Sequence, residues 1–300
     1  MSMRLLTPQF LFIVISMLAI ASMSTATPDD VTGDHQPLKV IYAGFGRCGT
    51  MSLSEALTRL GYKATHGSIT AKNLKGSHAE LGNALMAGDV EQILSATSQL
   101  GYNATTTSNN IFWLEMMERT PDAKIIFMTR DFDSWFDSLL LLLIEMGSLS
   151  RFPLKFIPSI YSVSRYTVEL TKRTFESEYN IDQIKEIVKN PNGALTRKAY
   201  KKLYDDYISN MERILAEQPN RSFLFHKEDG YPSLCQFLEI SDEDCPNDDE
   251  PFPHSNNASN VKKQGKMFRI MEVVAYALLF VIMKLSFSFG PKKHGKKKNE

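Results

Sequence analysis

One stretch constrains the fold more than any other: Lys39-Val-Ile-Tyr-Ala-Gly-Phe-Gly-Arg-Cys-Gly-Thr-Met-Ser52. Val40, Ile41, Tyr42 and Ala43 form the short apolar run of a strand buried on both faces. Gly44, Gly46 and Gly49 permit a tight turn whose backbone N–H groups point inward. From Met51, the residues Leu53, Ala56, Leu57 and Leu60 recur at i, i+3, i+4 and i+7, the apolar face of a helix. A glycine loop feeding a helix N-terminus favours an anion, because its N–H groups are unpaired and the helix dipole adds positive potential.

The loop is defined as much by what it lacks. Gly44 and Gly49 have the G-x4-G spacing of a nucleotide P-loop, but Thr50 stands where the lysine belongs. An ATP- or GTP-dependent enzyme is disfavoured on that ground. Arg47 supplies positive charge from inside the loop instead. A dinucleotide-binding fold is the weaker alternative, since no acidic residue ends the next strand.

The basic–small–Gly-Thr core, Arg47-Cys-Gly-Thr50, resembles the 5′-phosphosulfate loop of sulfotransferases. The wider string from Ala43 to Leu53 resembles a divergent P-loop branch of that family. A second segment agrees. Lys124-Ile-Ile-Phe-Met-Thr129 reads as a buried strand, and Thr129-Arg-Asp-Phe-Asp-Ser-Trp-Phe-Asp-Ser138 follows it. In sulfotransferases an Arg and a Ser at this spacing bind the donor's 3′-phosphate. Guanidinium suits phosphate bidentately, and a hydroxyl adds a donor. Gly230 to Leu238 and Asp249 to His254 resemble the closing segments of the same family. The resemblance runs from Val40 to Asn256.

It implies an α/β, three-layer P-loop NTPase-like fold with a central parallel sheet. It also implies transfer of a sulfonate from 3′-phosphoadenosine 5′-phosphosulfate to a hydroxyl or amine, without a metal. The expected 5′-phosphate site is Gly44, Gly46, Arg47, Cys48, Gly49, Thr50 and Ser52. Arg47 also offsets leaving-group charge, and Arg130 with Ser138 holds the 3′-phosphate. His66, ending the second strand, is the candidate base. The family pattern has an acidic residue followed by proline where Thr107 and Asn109 stand here. A membrane-tethered protein that binds nucleotide without turnover is therefore the alternative.

The rest of the chain reads as strands at Gly61–His66, Lys124–Thr129 and Ser222–His226, with Asn103–Thr107 a third strand or a loop. Helices fall over Asn73–Met86, Asp89–Leu100, Ile111–Arg119, Trp135 to about Met146, Leu195–Leu215 and Tyr231–Leu238. Asp133 or Ser134 is the expected cap of the helix after Arg130. Alternating strands and helices imply a parallel sheet covered on both faces. With 43% hydrophobic and 23% charged residues the composition is globular, and zero net charge points to no nucleic-acid partner. The Cys and His spacings match no metal site. Cys235 and Cys245 are close enough to pair in an oxidising compartment.

Residues 1–26 read as a secretory signal, with an uncleaved anchor as the alternative, and 27–38 as a linker. The sulfotransferase-like domain covers 39–260. Residues 267–289 are read as a transmembrane helix, with an interfacial or a soluble helix as rivals. Residues 290–300 form a basic tail on the cytosolic side, and Lys297-Lys-Asn-Glu300 resembles a dilysine retrieval signal. Asn103, Asn220 and Asn257 head glycosylation triplets. Together these give a single-pass type I protein of the endoplasmic reticulum or Golgi, domain lumenal.

Overall fold

The computed structural model describes residues 37–72, 74, 76–106, 112–147, 154, 158–247, 249–254 and 258–288. The segments read as a signal and as a basic tail, most of the segment read as a linker, Thr107, Asn109 and Asn257 lie outside the described residues. Five parallel strands form one sheet: β1 (Val40–Ala43), β2 (Ala64–Thr65), β3 (Ala104–Thr105), β4 (Lys124–Phe127) and β5 (Ser222–Leu224). Their spatial order is β2-β3-β1-β4-β5. All four residues of β1 are buried, as an interior strand covered on both faces requires. Helices therefore cover both faces of the sheet, the three-layer α/β arrangement expected from the sequence.

The strand order decides a point that glycine spacing cannot. Gly44-Phe-Gly-Arg-Cys-Gly49 also fits the G-x-G-x-x-G fingerprint of dinucleotide sites. Those folds set the second strand beside the first. Here β3 occupies that place, paired Val40 to Ala104 and Ile41 to Thr105, and β2 lies outside it. On its other side β1 pairs with β4, from Val40 opposite Lys124 to Ala43 opposite Phe127. The chain thus goes out to β2 at the edge, steps back in to β3, then crosses over β1 to β4. Such a reversal opens a crevice at the strand carboxyl ends, where ligands of parallel sheets collect.

The described helices are α1 (Thr50–Arg59), α2 (Gly67–Lys72), α3 (Ala79–Ala87), α4 (Val90–Gln99), α5 (Trp113–Arg119), α6 (Phe132–Gly147), α7 (Pro158–Phe175), α8 (Ile181–Lys189), α9 (Ala194–Glu217), α10 (Gly230–Leu238) and α11 (Ala258–Ser288). β2, β3 and β5 are shorter than their apolar patterns suggested, because only two or three residues of each pair with a neighbour. Asp89 caps α4, its carboxylate accepting from the Gln92 N–H. The helix expected over Asn73–Met86 begins only at Ala79.

Two expectations are corrected. The cap of α6 is Asp131, not Asp133 or Ser134. Its carboxylate accepts the N–H groups of Asp133 and Ser134 at 3.1 and 2.9 Å. The transmembrane helix over 267–289 is not found: among the described residues, no helix is long and apolar enough to cross a membrane. Arg269, Glu272 and Lys284 interrupt the apolar run. Arg269 instead reaches back to Glu145 of α6 at 3.3 Å. Cys235 and Cys245 are joined by a disulfide.

Candidate functional site

The loop leaving β1 is shaped by hydroxyls beneath it. A Cβ added at Gly44 would lie 2.6 Å from the Tyr42 hydroxyl and 3.1 Å from that of Tyr207. Gly44 is thus needed because two phenols fill the space a side chain would take. Gly49 is needed for its backbone, with φ at +98°, and its missing Cβ makes room for the Met128 methyl. Gly49 precedes α1, and no side chain caps the first turn of that helix. Its orphan N–H groups, with the buried hydroxyls of Thr50 and Ser52, form the anion-favouring end of the loop.

The loop carbonyls are held by side-chain donors. The Tyr42 hydroxyl donates to the Phe45 carbonyl at 2.8 Å. The Trp135 indole N–H donates to the Gly46 carbonyl at 2.9 Å. The Tyr207 hydroxyl lies 2.9 Å from the Ala43 carbonyl and 3.3 Å from that of Met128. Phe45 packs among these rings, its centroid 4.7 Å from both Trp135 and Tyr207. Burial raises the pKa of Tyr42 and Tyr207 well above the ordinary phenol value, so both remain donors.

β4 brings the second basic group. The Arg130 carbonyl accepts from the Tyr204 hydroxyl of α9. Asp131 then starts α6, which places Ser138 two turns in. The Nε of Arg47 donates to the Ser138 Oγ at 3.1 Å. Arg47 adopts a left-handed conformation, with φ at +76°. Its pKa is lowered first by burial and then by the charge of Arg130. Two guanidiniums in one crevice, one half-buried, is an arrangement that a multiply charged anion stabilises.

Thus Arg47, read in the phosphate loop, and Arg130 with Ser138, read as a separate pair, come together at the ends of β1 and β4. His66 follows β2, and its Nε2 lies 3.2 Å from the Thr50 Oγ1. Cys48 differs from the other loop residues. Its side chain is buried, and its N–H turns back to the Phe45 carbonyl at 3.3 Å. Burial pushes its thiol pKa up to about 12 despite the two arginines, so it stays a neutral thiol. Cys48 therefore offers an anion neither a free N–H nor a thiolate. Asn103 is half-buried, and its Oδ1 accepts from the Lys63 N–H at 2.8 Å; Asn220 is exposed. Among the described residues no cluster of His, Cys, Asp and Glu is suited to a metal ion.

Sequence reasoning missed Tyr42, Trp135, Tyr204 and Tyr207, which look like ordinary apolar positions. The available signal was Tyr200, Tyr204 and Tyr207 on one buried helix face, a stripe with polar tips that must find acceptors when buried.

The family model described as the sulfotransferase domain matches residues 39–261. The Ava biosynthesis cluster protein M of Aspergillus versicolor is 23% identical over 228 residues, covering 72% of this chain and 80% of that protein.

Proposed function

The chain belongs to the sulfotransferase family, and from that premise we propose that it passes a sulfonate from 3′-phosphoadenosine 5′-phosphosulfate to a hydroxyl or amine acceptor. The convergence of Arg47, Arg130 and Ser138 carries this reading. A donor with phosphate at both 3′ and 5′ positions needs two anion sites a nucleoside apart. The ends of β1 and β4, adjacent strands of the sheet, offer them.

In this reading the N–H groups opening α1, with the Thr50 and Ser52 hydroxyls, hold the 5′-phosphate. Arg130 and Ser138 hold the 3′-phosphate. The Ser138 oxygen accepts from Arg47, which leaves its own proton to donate to the phosphate. The bound donor supplies an activated sulfonate and a phosphate leaving group. The acceptor oxygen or nitrogen bonds to sulfur as the bond from sulfur to the bridging phosphate oxygen breaks. The acceptor proton passes to His66, and Arg47 balances the charge gathering on the phosphate. Nε2 of His66 sits beside Thr50, at the loop that holds this phosphate.

The test is thermal unfolding with adenosine 3′,5′-bisphosphate against ADP and ATP. At about 100 times the dissociation constant a ligand stabilises by about 2.7 kcal/mol, a rise of roughly 5–10 °C for a domain this size. The rise is expected for the bisphosphate alone and is expected to vanish in Arg130→Ala. Equal shifts with ATP would overturn the donor assignment.

Binding without turnover is the second reading, favoured by Thr107 and Asn109 at the positions where the family pattern carries an acidic residue and proline. Turnover on a broad acceptor panel separates the two. We also propose that the domain works in the lumen of the endoplasmic reticulum or Golgi. The apolar segment in residues 1–26, the Cys235–Cys245 disulfide and the three Asn-x-Ser/Thr triplets support this. Glycosidase-insensitive protein with reduced cysteines, isolated from intact cells, would count against it.

A further inference from the structure

We propose that Tyr207 is a positioning residue that couples the two phosphate half-sites, fixing the end of β1 relative to the end of β4. The proposal rests on the donor reading given above. The backbone pairing of β1 with β4 ends at Ala43 opposite Phe127. Beyond that pair the two chains separate, one into the Gly44–Gly49 loop and the other toward Arg130. At this point the Tyr207 hydroxyl enters, 2.9 Å from the Ala43 carbonyl and 3.3 Å from the Met128 carbonyl. Ala43 immediately precedes the loop, and Met128 lies two residues before Arg130. One phenolic proton is thus shared between the last carbonyl of one half-site's strand and the first carbonyl beyond the other's.

Its neighbours restrict its movement. The ring packs against Phe45 at 4.7 Å and Trp113 at 6.4 Å. Its hydroxyl also occupies the space left by the missing Gly44 side chain. One turn earlier on the same helix, Tyr204 donates to the Arg130 carbonyl. α9 therefore grips Ala43, Met128 and Arg130 through two phenols. A ligand with one phosphate meets one half-site and is indifferent to their spacing. A ligand with two phosphates binds well only when that spacing is correct.

The experiment compares wild type with Tyr207→Phe, which removes the oxygen and keeps the ring. Affinities are measured for adenosine 3′,5′-bisphosphate, adenosine 5′-monophosphate and adenosine 3′-monophosphate. The expected result is a bisphosphate affinity weakened about five- to ten-fold, the scale of one buried hydrogen bond, with each monophosphate within about two-fold of wild type. Equal losses for all three ligands, or no loss for any, overturns the coupling. Should Tyr207→Phe fail to fold, Tyr204→Phe carries the test. It is expected to weaken the bisphosphate and the 3′-monophosphate while sparing the 5′-monophosphate, and uniform weakening overturns the proposal. A wild-type chain that binds none of the three overturns the donor reading itself, and the coupling with it.

Discussion

The Nε of Arg47 donates to the Ser138 Oγ at 3.1 Å, joining residues 91 apart in the chain. Arg47 stands in the loop after β1 and Ser138 on α6, reached through β4. The contact exists because β1 and β4 are neighbours and because Asp131 starts α6 just past Arg130. It also requires Arg47 to hold φ at +76°, a conformation that glycine accepts and arginine resists. Strain of this kind persists where the surroundings over-determine it, and it gathers at functional sites.

Arg47→Gly is therefore expected to separate stability from activity. Relieving the left-handed conformation returns about 1 kcal/mol. Glycine's extra freedom in the unfolded chain removes a similar amount. The midpoint of thermal unfolding should stay within a few degrees of wild type, roughly 3 °C. Sulfonate transfer should fall by at least about a hundred-fold, because the charge on the leaving phosphate is then unbalanced. Full turnover in Arg47→Gly would remove Arg47 from the mechanism.

Much of this site was legible in the sequence, for a physical reason. A buried strand, a glycine turn and an amphipathic helix are local patterns, and each fixes its own backbone. Val40 to Leu60 and Lys124 to Ser138 could be read that way, each as a strand, a turn and a helix. What was not legible depends on contacts between distant segments. Nothing local in Ala194–Glu217 says that Tyr204 and Tyr207 reach the carbonyls of Ala43, Met128 and Arg130. The Gly44 requirement arises from hydroxyls of Tyr42 and Tyr207, so the sequence names the glycine without its cause. The apolar run near the C-terminus suggested a membrane span, yet Gly265 and Arg269 meet Glu145, a contact that composition cannot register.

His78 gives the fold a measurable pH dependence. It is buried, its Nδ1 2.9 Å from the Ser77 hydroxyl and its Nε2 3.0 Å from that of Tyr102. Burial lowers its pKa from the ordinary 6.5. The unfolded chain thus takes up a proton near pH 6.5 while the folded chain still refuses it. Stability is complete above that value and is lost as pH falls through it toward the folded pKa, at up to about 1.4 kcal/mol per pH unit. Urea unfolding between about pH 7 and about pH 5.5 should show this slope in wild type and a flatter one in His78→Gln. Identical slopes would show that His78 does not carry the effect.

The Cys235–Cys245 bridge closes a short loop, its cysteines ten apart in sequence. Loop-closure entropy assigns such a bridge about 2.5 kcal/mol. Cys245→Ser, or wild type under reductant, should unfold roughly 5–10 °C lower. The loss should be local at first, because Tyr231 of α10 packs on Phe252 at 5.6 Å and the bridge holds that closing segment in place. An unchanged midpoint under full reduction would mean that packing alone secures it.

Gly265 tests whether α11 braces the site. A Cβ there would overlap the Glu145 carboxylate, which also pairs with Arg269 at 3.3 Å. Glu145 and Ser138 are both on α6, seven residues and so two turns apart, on one face. Gly265→Ala must displace either α11 or the Glu145 side chain. The expected result is a lower unfolding midpoint, and weaker bisphosphate binding if α6 shifts with it. Glu145→Ala in the same chain removes the obstruction, while Arg269, already largely exposed, loses little by losing its partner. The double variant should therefore be more stable than the sum of the two single losses predicts, by about 1–2 kcal/mol. Strict additivity would mean that α11 rests on α6 without bracing it, and that Ser138 is held by Asp131 and the ring cluster alone.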